Sequence, residues 1–141
     1  MTTLPQAGKE GAAVRAEAGA VWVEFHGRTT EHDPAHTLAS IEVLLASTGL
    51  HRVVFDLRAA ALNYNEMQLV ERVRDVDDTQ HLRQCAVAML VQTLSPRYKF
   101  LEAAARLAGH NLRLFTDGES ALRWLAGEKP ATPQESSAHT A

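Results

Sequence analysis

His26, Glu31, His32 and His36 fall within eleven residues of one another. Imidazoles and a carboxylate so close together are the raw material of a metal site. A helix aims two imidazoles at one ion when they stand at i and i+4, as in HExxH. Asp33-Pro34 marks a helix start, so His32 precedes the helix and that spacing is not secured. The stretch reads as a histidine-rich loop. Cys85 opens the apolar run Cys85–Val91 and packs there as a small hydrophobe rather than serving as a nucleophile. Ser120 lies in Gly-Glu-Ser-Ala, without the GxSxG of a nucleophile elbow. Neither GxGxxG nor GxxxxGK[ST] occurs, so no phosphate cradle is indicated. Asp75, Asp77 and Asp78 stand among Arg72, Arg74 and Arg83, the pattern of a solvated helix face with i, i+3 and i, i+4 ion pairs.

Two stretches remain. Arg97 and Lys99 flank Tyr98 at a helix start, where free N–H groups and basic side chains suit an anion; Arg106 and Arg113 extend that patch only if the fold brings them near. The loop Asp56–Asn65 follows a buried strand, and in open α/β sheets sites collect beyond the carboxyl ends of parallel strands. Its candidate binding groups are Asp56, Arg58, Asn63, Tyr64 and Asn65. An enzyme would need convergence of dispersed groups such as His51, Asp56 and Arg97.

The elements that position these groups follow from periodicity and punctuation. Ala13–Ala18 and Val21–Phe25 flank Gly19-Ala20 as a hairpin, with Val21, Val23 and Phe25 on one face. After Asp33-Pro34, Leu38, Ile41 and Leu45 form a helical stripe that stops at Gly49. Arg52–Leu57 and Cys85–Val91 are continuously apolar at their centres, as strands buried on both faces are. Between them, Asn63-Tyr-Asn-Glu66 has capping-box spacing and opens a helix with Met67, Val70, Val73 and Val76 on one stripe. Ser95-Pro96 starts a third helix carrying Phe100, Leu101, Ala104 and Ala105. Leu112–Phe115 is a last short strand, and Thr116-Asp-Gly-Glu119 opens a fourth helix through Ala121, Leu122, Trp124 and Leu125. Strands separated by helices join through right-handed crossovers, which predicts an α/β (α+β) sandwich. Its sheet is mixed, of four to five strands, with an N-terminal hairpin and about four helices.

The 141 residues carry a net charge of −3 and are 45% hydrophobic, the composition of a single globular domain. That domain is expected over residues 11–128, between polar segments at 1–10 and 129–141. One cysteine excludes an internal disulfide and fits a reducing compartment. The longest apolar run is far short of the roughly 20 residues of a membrane span, and no secretory h-region opens the chain. A cytoplasmic location is the expectation. An acidic balance without a basic face disfavours nucleic acid.

The hairpin, Val53–Leu57, Ala86–Val91 and above all Leu112-Arg-Leu-Phe-Thr-Asp-Gly-Glu-Ser-Ala-Leu-Arg-Trp-Leu125 resemble the SpoIIAA-like branch of the STAS superfamily, small bacterial proteins also similar to CRAL-TRIO lipid-binding domains. The resemblance covers about residues 11–127, and Phe115, Ala121, Trp124 and Leu125 match its most characteristic pattern. It implies helices mostly on one face and a non-enzymatic regulatory or protein-binding role without a cofactor. In relatives of this kind a Ser or Thr is phosphorylated after the Asp-ended strand. Leu62–Glu66 has neither, Tyr64 being its only hydroxyl, so that switch is not expected here. A protein partner, or a second copy of the chain, would meet the Asp56–Asn65 surface. The CRAL-TRIO similarity implies as an alternative a small apolar ligand or lipid, with Met67, Met89 and Phe100 available to line its pocket.

Overall fold

Ala18 and Gly19 both take positive φ, 54° and 77°, and join β1 (Ala12–Glu17) to β2 (Ala20–Phe25) by a two-residue turn in which Glu17 faces Ala20. Two successive left-handed residues are the signature of the type I′ hairpin, whose twist matches that of the strands. The computed structural model describes residues 12–127, so the expected polar segments 1–10 and 129–141 lie outside the described residues.

After β2 come the two-residue β3 (Gly27–Arg28), a 3-10 turn (Thr29–Glu31) and α1 (Pro34–Thr48). The Asp33 side chain accepts the N–H groups of Ala35 and His36, Pro34 occupies the first turn, and Gly49 closes the helix at φ 74°. Then follow β4 (Arg52–Asp56), the two-residue β5 (Ala60–Ala61), α2 (Glu66–Asp77), a second 3-10 turn (Leu82–Gln84) and β6 (Ala86–Leu90). The described residues close with α3 (Pro96–Leu107), β7 (Asn111–Phe115) and α4 (Gly118–Gly127).

The main sheet has the order β1-β2-β4-β6-β7. Only the β1–β2 pair is antiparallel; β2–β4, β4–β6 and β6–β7 are parallel. Two caps sit one or two residues beyond their expected places. Asn65, not Asn63, caps α2 in a reciprocal capping box with Gln68, and Asp117, not Thr116, accepts the Ser120 N–H at 2.7 Å before α4.

Successive parallel strands are added on the same side of their predecessor, so three right-handed crossovers place α1, α2 and α3 on one face. Strand alternation divides the interior accordingly. Val21, Val23, Val53, Val87, Met89 and Leu112 face Ile41 and Leu45 of α1, Leu69 and Val73 of α2, and Leu101 and Ala105 of α3. On the opposite face Trp22, Val54, Ala88 and Leu90 cluster with Ala121 and Leu125 of α4, with Phe115 and Trp124 at the margin. Helices therefore lie mostly on one face. Among the described residues no helix is long and apolar enough to cross a membrane.

Candidate functional site

Sites in open α/β sheets form at a switch point, where strand order reverses and adjacent crossovers diverge to opposite faces. In this sheet the order never reverses, so there is no switch point; the carboxyl ends of β4 and β6 border a polar groove lined by Leu57, Ala60, Leu62, Gln92, Ser95 and Arg97. The Asp56–Asn65 loop is instead tied into the fold. Asp56 is buried, and its carboxylate accepts the Arg58 backbone N–H at 3.1 Å, Nε at 3.0 Å and Nη2 at 2.9 Å. Burial pushes this carboxyl up, but the Arg58 hydrogen bonds and charge outweigh it and hold the group below its ordinary value. Asn63 accepts from Thr29 Oγ1 at 2.9 Å and from the Thr30 N–H at 3.0 Å, and donates to Thr30 Oγ1 at 2.8 Å. It clasps the loop before α1 to the loop before α2. Asn65 is a helix cap. Of the five candidates, Arg58, Asn63 and Asn65 are exposed, and Tyr64 is half-buried with the Arg72 guanidinium 5.5 Å from its ring centre.

The basic groups do not assemble. Arg97 reaches the Leu62 carbonyl at 3.4 Å, and Lys99 is exposed. The N–H groups of Tyr98 and Lys99 are taken by Ser95 Oγ and Ser95 O. Arg106 donates to Leu112 O near the far end of the same helix, and Arg113 lies over Phe115 and Trp124 on the opposite face of the sheet. His51 precedes β4 whereas Asp56 ends it, so those two stand at opposite ends of one strand. Among the described residues no three His, Cys, Asp or Glu side chains are grouped to hold a metal ion. His32 Nε2 lies 2.8 Å from the His26 carbonyl. Cys85 is buried, and burial, with the Glu42 charge adding to it, pushes its thiol up to about 12.

The prominent feature lies inside the helical layer. A cavity of about 160 Å³, partly open to solvent, separates α1 and α2 above the sheet. Phe25, Phe55, Leu57, Val87, Met89 and Leu112 form its floor. Pro34, Thr37, Leu38 and Ile41 of α1 form one wall; Leu69, Arg72, Val73 and Val76 of α2 form the other, with Leu101 and Ala105 of α3 behind them. The helices diverge because each packs elsewhere, α2 on α3 and α1 on β1 and β2. A polar clasp closes each end of the gap. At one end stands the Asn63–Thr29–Thr30 cluster. At the other, the Glu42 carboxylate of α1 accepts the backbone N–H groups of Gln80, His81 and Leu82 at 2.7–3.1 Å and anchors the turn that supplies Leu82 and Cys85 to the lining.

Of the residues expected to line an apolar pocket, Met89 does. Met67 is 69% exposed, and Phe100 packs against the core outside the cavity lining. Phe25, Phe55 and His32 were not singled out for this role from the sequence. Their signal was present in the strand pattern, since Phe25 and Phe55 continue the core-facing alternation of Val21-Val23 and Val53. Phe25 stands 5.9 Å from Phe55 and 5.3 Å from the His32 ring, centre to centre.

Comparison with known proteins gives no matching family model and no match among curated proteins.

Proposed function

We propose that this chain is a STAS-like, non-enzymatic binding module that takes a small apolar ligand in the cavity between α1, α2 and the sheet. The observation that carries the reading is the cavity itself. Protein interiors close over voids larger than a water molecule, yet here about 160 Å³ stays open between two helices held at both ends by hydrogen-bonded clasps. A dry core cavity of roughly 150 Å³ is known to admit benzene. The engagement of Asp56, Asn63 and Asn65 in hydrogen bonds within the fold favours the cavity over the Asp56–Asn65 loop as the binding site. The test is an NMR titration with benzene. The methyl resonances of Ile41, Leu69, Val73, Val87 and Met89 should move together while those of Ala121 and Leu125, on the other face, stay fixed. Unmoved methyls at saturating benzene would refute the reading.

A protein partner is the second reading, and one observation favours it. Leu94 is 49% exposed in the loop before α3, between Thr93 and Ser95 of a polar groove that Leu57, Ala60, Leu62 and Arg97 also line. Arg58→Ala with Leu94→Ala should then remove a partner from a pull-down that the wild-type chain retains; identical partner sets would refute this surface.

A further inference from the structure

The chemistry of the lining narrows the ligand class. The charged groups at the cavity wall are engaged with one another. Arg72 Nε is 2.8 Å from Asp75 Oδ2 and its Nη2 3.8 Å from Glu71. An anionic ligand would have to displace a carboxylate already in place, and a cationic one would have to displace Arg72. The remaining surface is apolar, but it is not neutral between alkyl and aryl groups. Phe25, Phe55, Tyr64 and the His32 ring present aromatic edges and faces, Met89 a thioether and Arg72 a guanidinium. Aromatic, sulfur and guanidinium groups each gain from a π-system something an alkyl chain does not offer. Size sets the other limit, since about 160 Å³ compares with the roughly 150 Å³ of a cavity that admits benzene.

From these we propose that the cavity selects an uncharged aromatic molecule of one or two fused rings. The proposal rests on the reading of the cavity as a ligand site and specifies that site's chemistry.

Three probes matched in heavy-atom number separate the possibilities: indole, octan-1-ol and benzoate, each titrated into the full chain by NMR and by thermal unfolding. Indole should bind on the order of tenfold more tightly than octan-1-ol, the ratio given by about 1.4 kcal/mol of added aromatic contact. Its ring current should shift the Met89 methyl resonance upfield, which octan-1-ol cannot do. Benzoate should bind at least about tenfold more weakly than indole, since it must displace an existing ion-pair partner. Ala105→Leu, which fills the cavity from α3, should abolish indole binding without lowering the melting temperature; if that variant fails to fold, the Met89 shift in the wild-type chain remains the deciding readout. Octan-1-ol binding as tightly as indole, or benzoate binding more tightly, would overturn the aromatic assignment and leave a ligand site standing. Failure of all three to bind would overturn both the assignment and the proposed function.

Discussion

Glu42 is the side chain whose removal should be felt most for its position, because one half-buried carboxylate serves three backbone N–H groups across a gap that no side-chain packing fills. The three donors differ in what they lose on Glu42→Ala. Gln80 is exposed and its N–H passes to water, His81 is half-buried, and Leu82 is 1% exposed and keeps an N–H with no replacement. A hydrogen bond to a charged group is worth about 1.5–3 kcal/mol and a buried orphan costs about 1–3 kcal/mol. Counting Leu82 fully, His81 in part and Gln80 not at all gives a loss of about 3 kcal/mol. Glu42→Gln keeps one acceptor oxygen and should lose about half of that. Urea unfolding followed by tryptophan fluorescence measures both, with an unchanged m-value showing that the effect lies in the native state. Hydrogen exchange at Leu82 gives the local readout: its amide should lose protection in Glu42→Ala beyond the global change. A destabilisation below about 0.5 kcal/mol, the range of an ordinary surface substitution, would refute the assignment of Glu42 as the clasp.

Asp56 makes stability depend on acid. Its carboxyl is held below the ordinary value of 3.8 in the folded chain, so its contribution is full above that value and is lost as pH falls through the lower folded one. Urea midpoints of the wild-type chain should drop below about pH 4 more steeply than those of Asp56→Asn; parallel curves would contradict this. Cys85, with a thiol pushed up to about 12 against an ordinary 9.0, should react with a thiol-specific reagent roughly a thousandfold more slowly in the folded chain than in urea, from thiolate fraction alone. Labelling at the unfolded rate would count against its burial. Ala18 holds φ 54° without being glycine, so Ala18→Asn, a residue that tolerates this region, should stabilise by about 0.5–1 kcal/mol in the same urea assay.

The fold was largely legible in the sequence because its signals are local. Asp33-Pro34 and Ser95-Pro96 place helix starts, Gly49 a stop, and the apolar centres of Arg52–Leu57 and Cys85–Val91 mark strands buried on both faces. Cap positions moved by one or two residues where two candidates competed, as Asn63 and Asn65 did, since only tertiary contacts decide which asparagine is pulled away to meet Thr29. The candidate site was much less legible. A cavity is a failure of two helices to meet, and neither helix alone records it: Ile41 and Leu69 look like ordinary core residues whether or not something stands between them. Glu42 next to Ile41 likewise reads as a solvated carboxylate, because its partners are backbone N–H groups nearly forty residues away. The loop after β4 stands out on the rule that sites collect beyond the carboxyl ends of parallel strands, and it borders a polar groove there, but nothing in its sequence tells that Asp56, Asn63 and Asn65 are held by hydrogen bonds within the fold.

That unreversed order has a consequence for synthesis. Chain order and sheet order coincide from β1 through β2, β4, β6 and β7, so no strand has to be inserted between neighbours already paired. As the chain leaves the ribosome, each helix–strand unit meets a free edge made by the unit before it, and domains form from the N-terminus as they are made. Among the described residues α4 arrives last and is the helix that covers the far face over Trp22, Val54, Ala88 and Leu90. A nascent chain halted before residue 118 therefore carries a complete sheet with one apolar side uncovered, and that is the stage at which a chaperone would find most to bind.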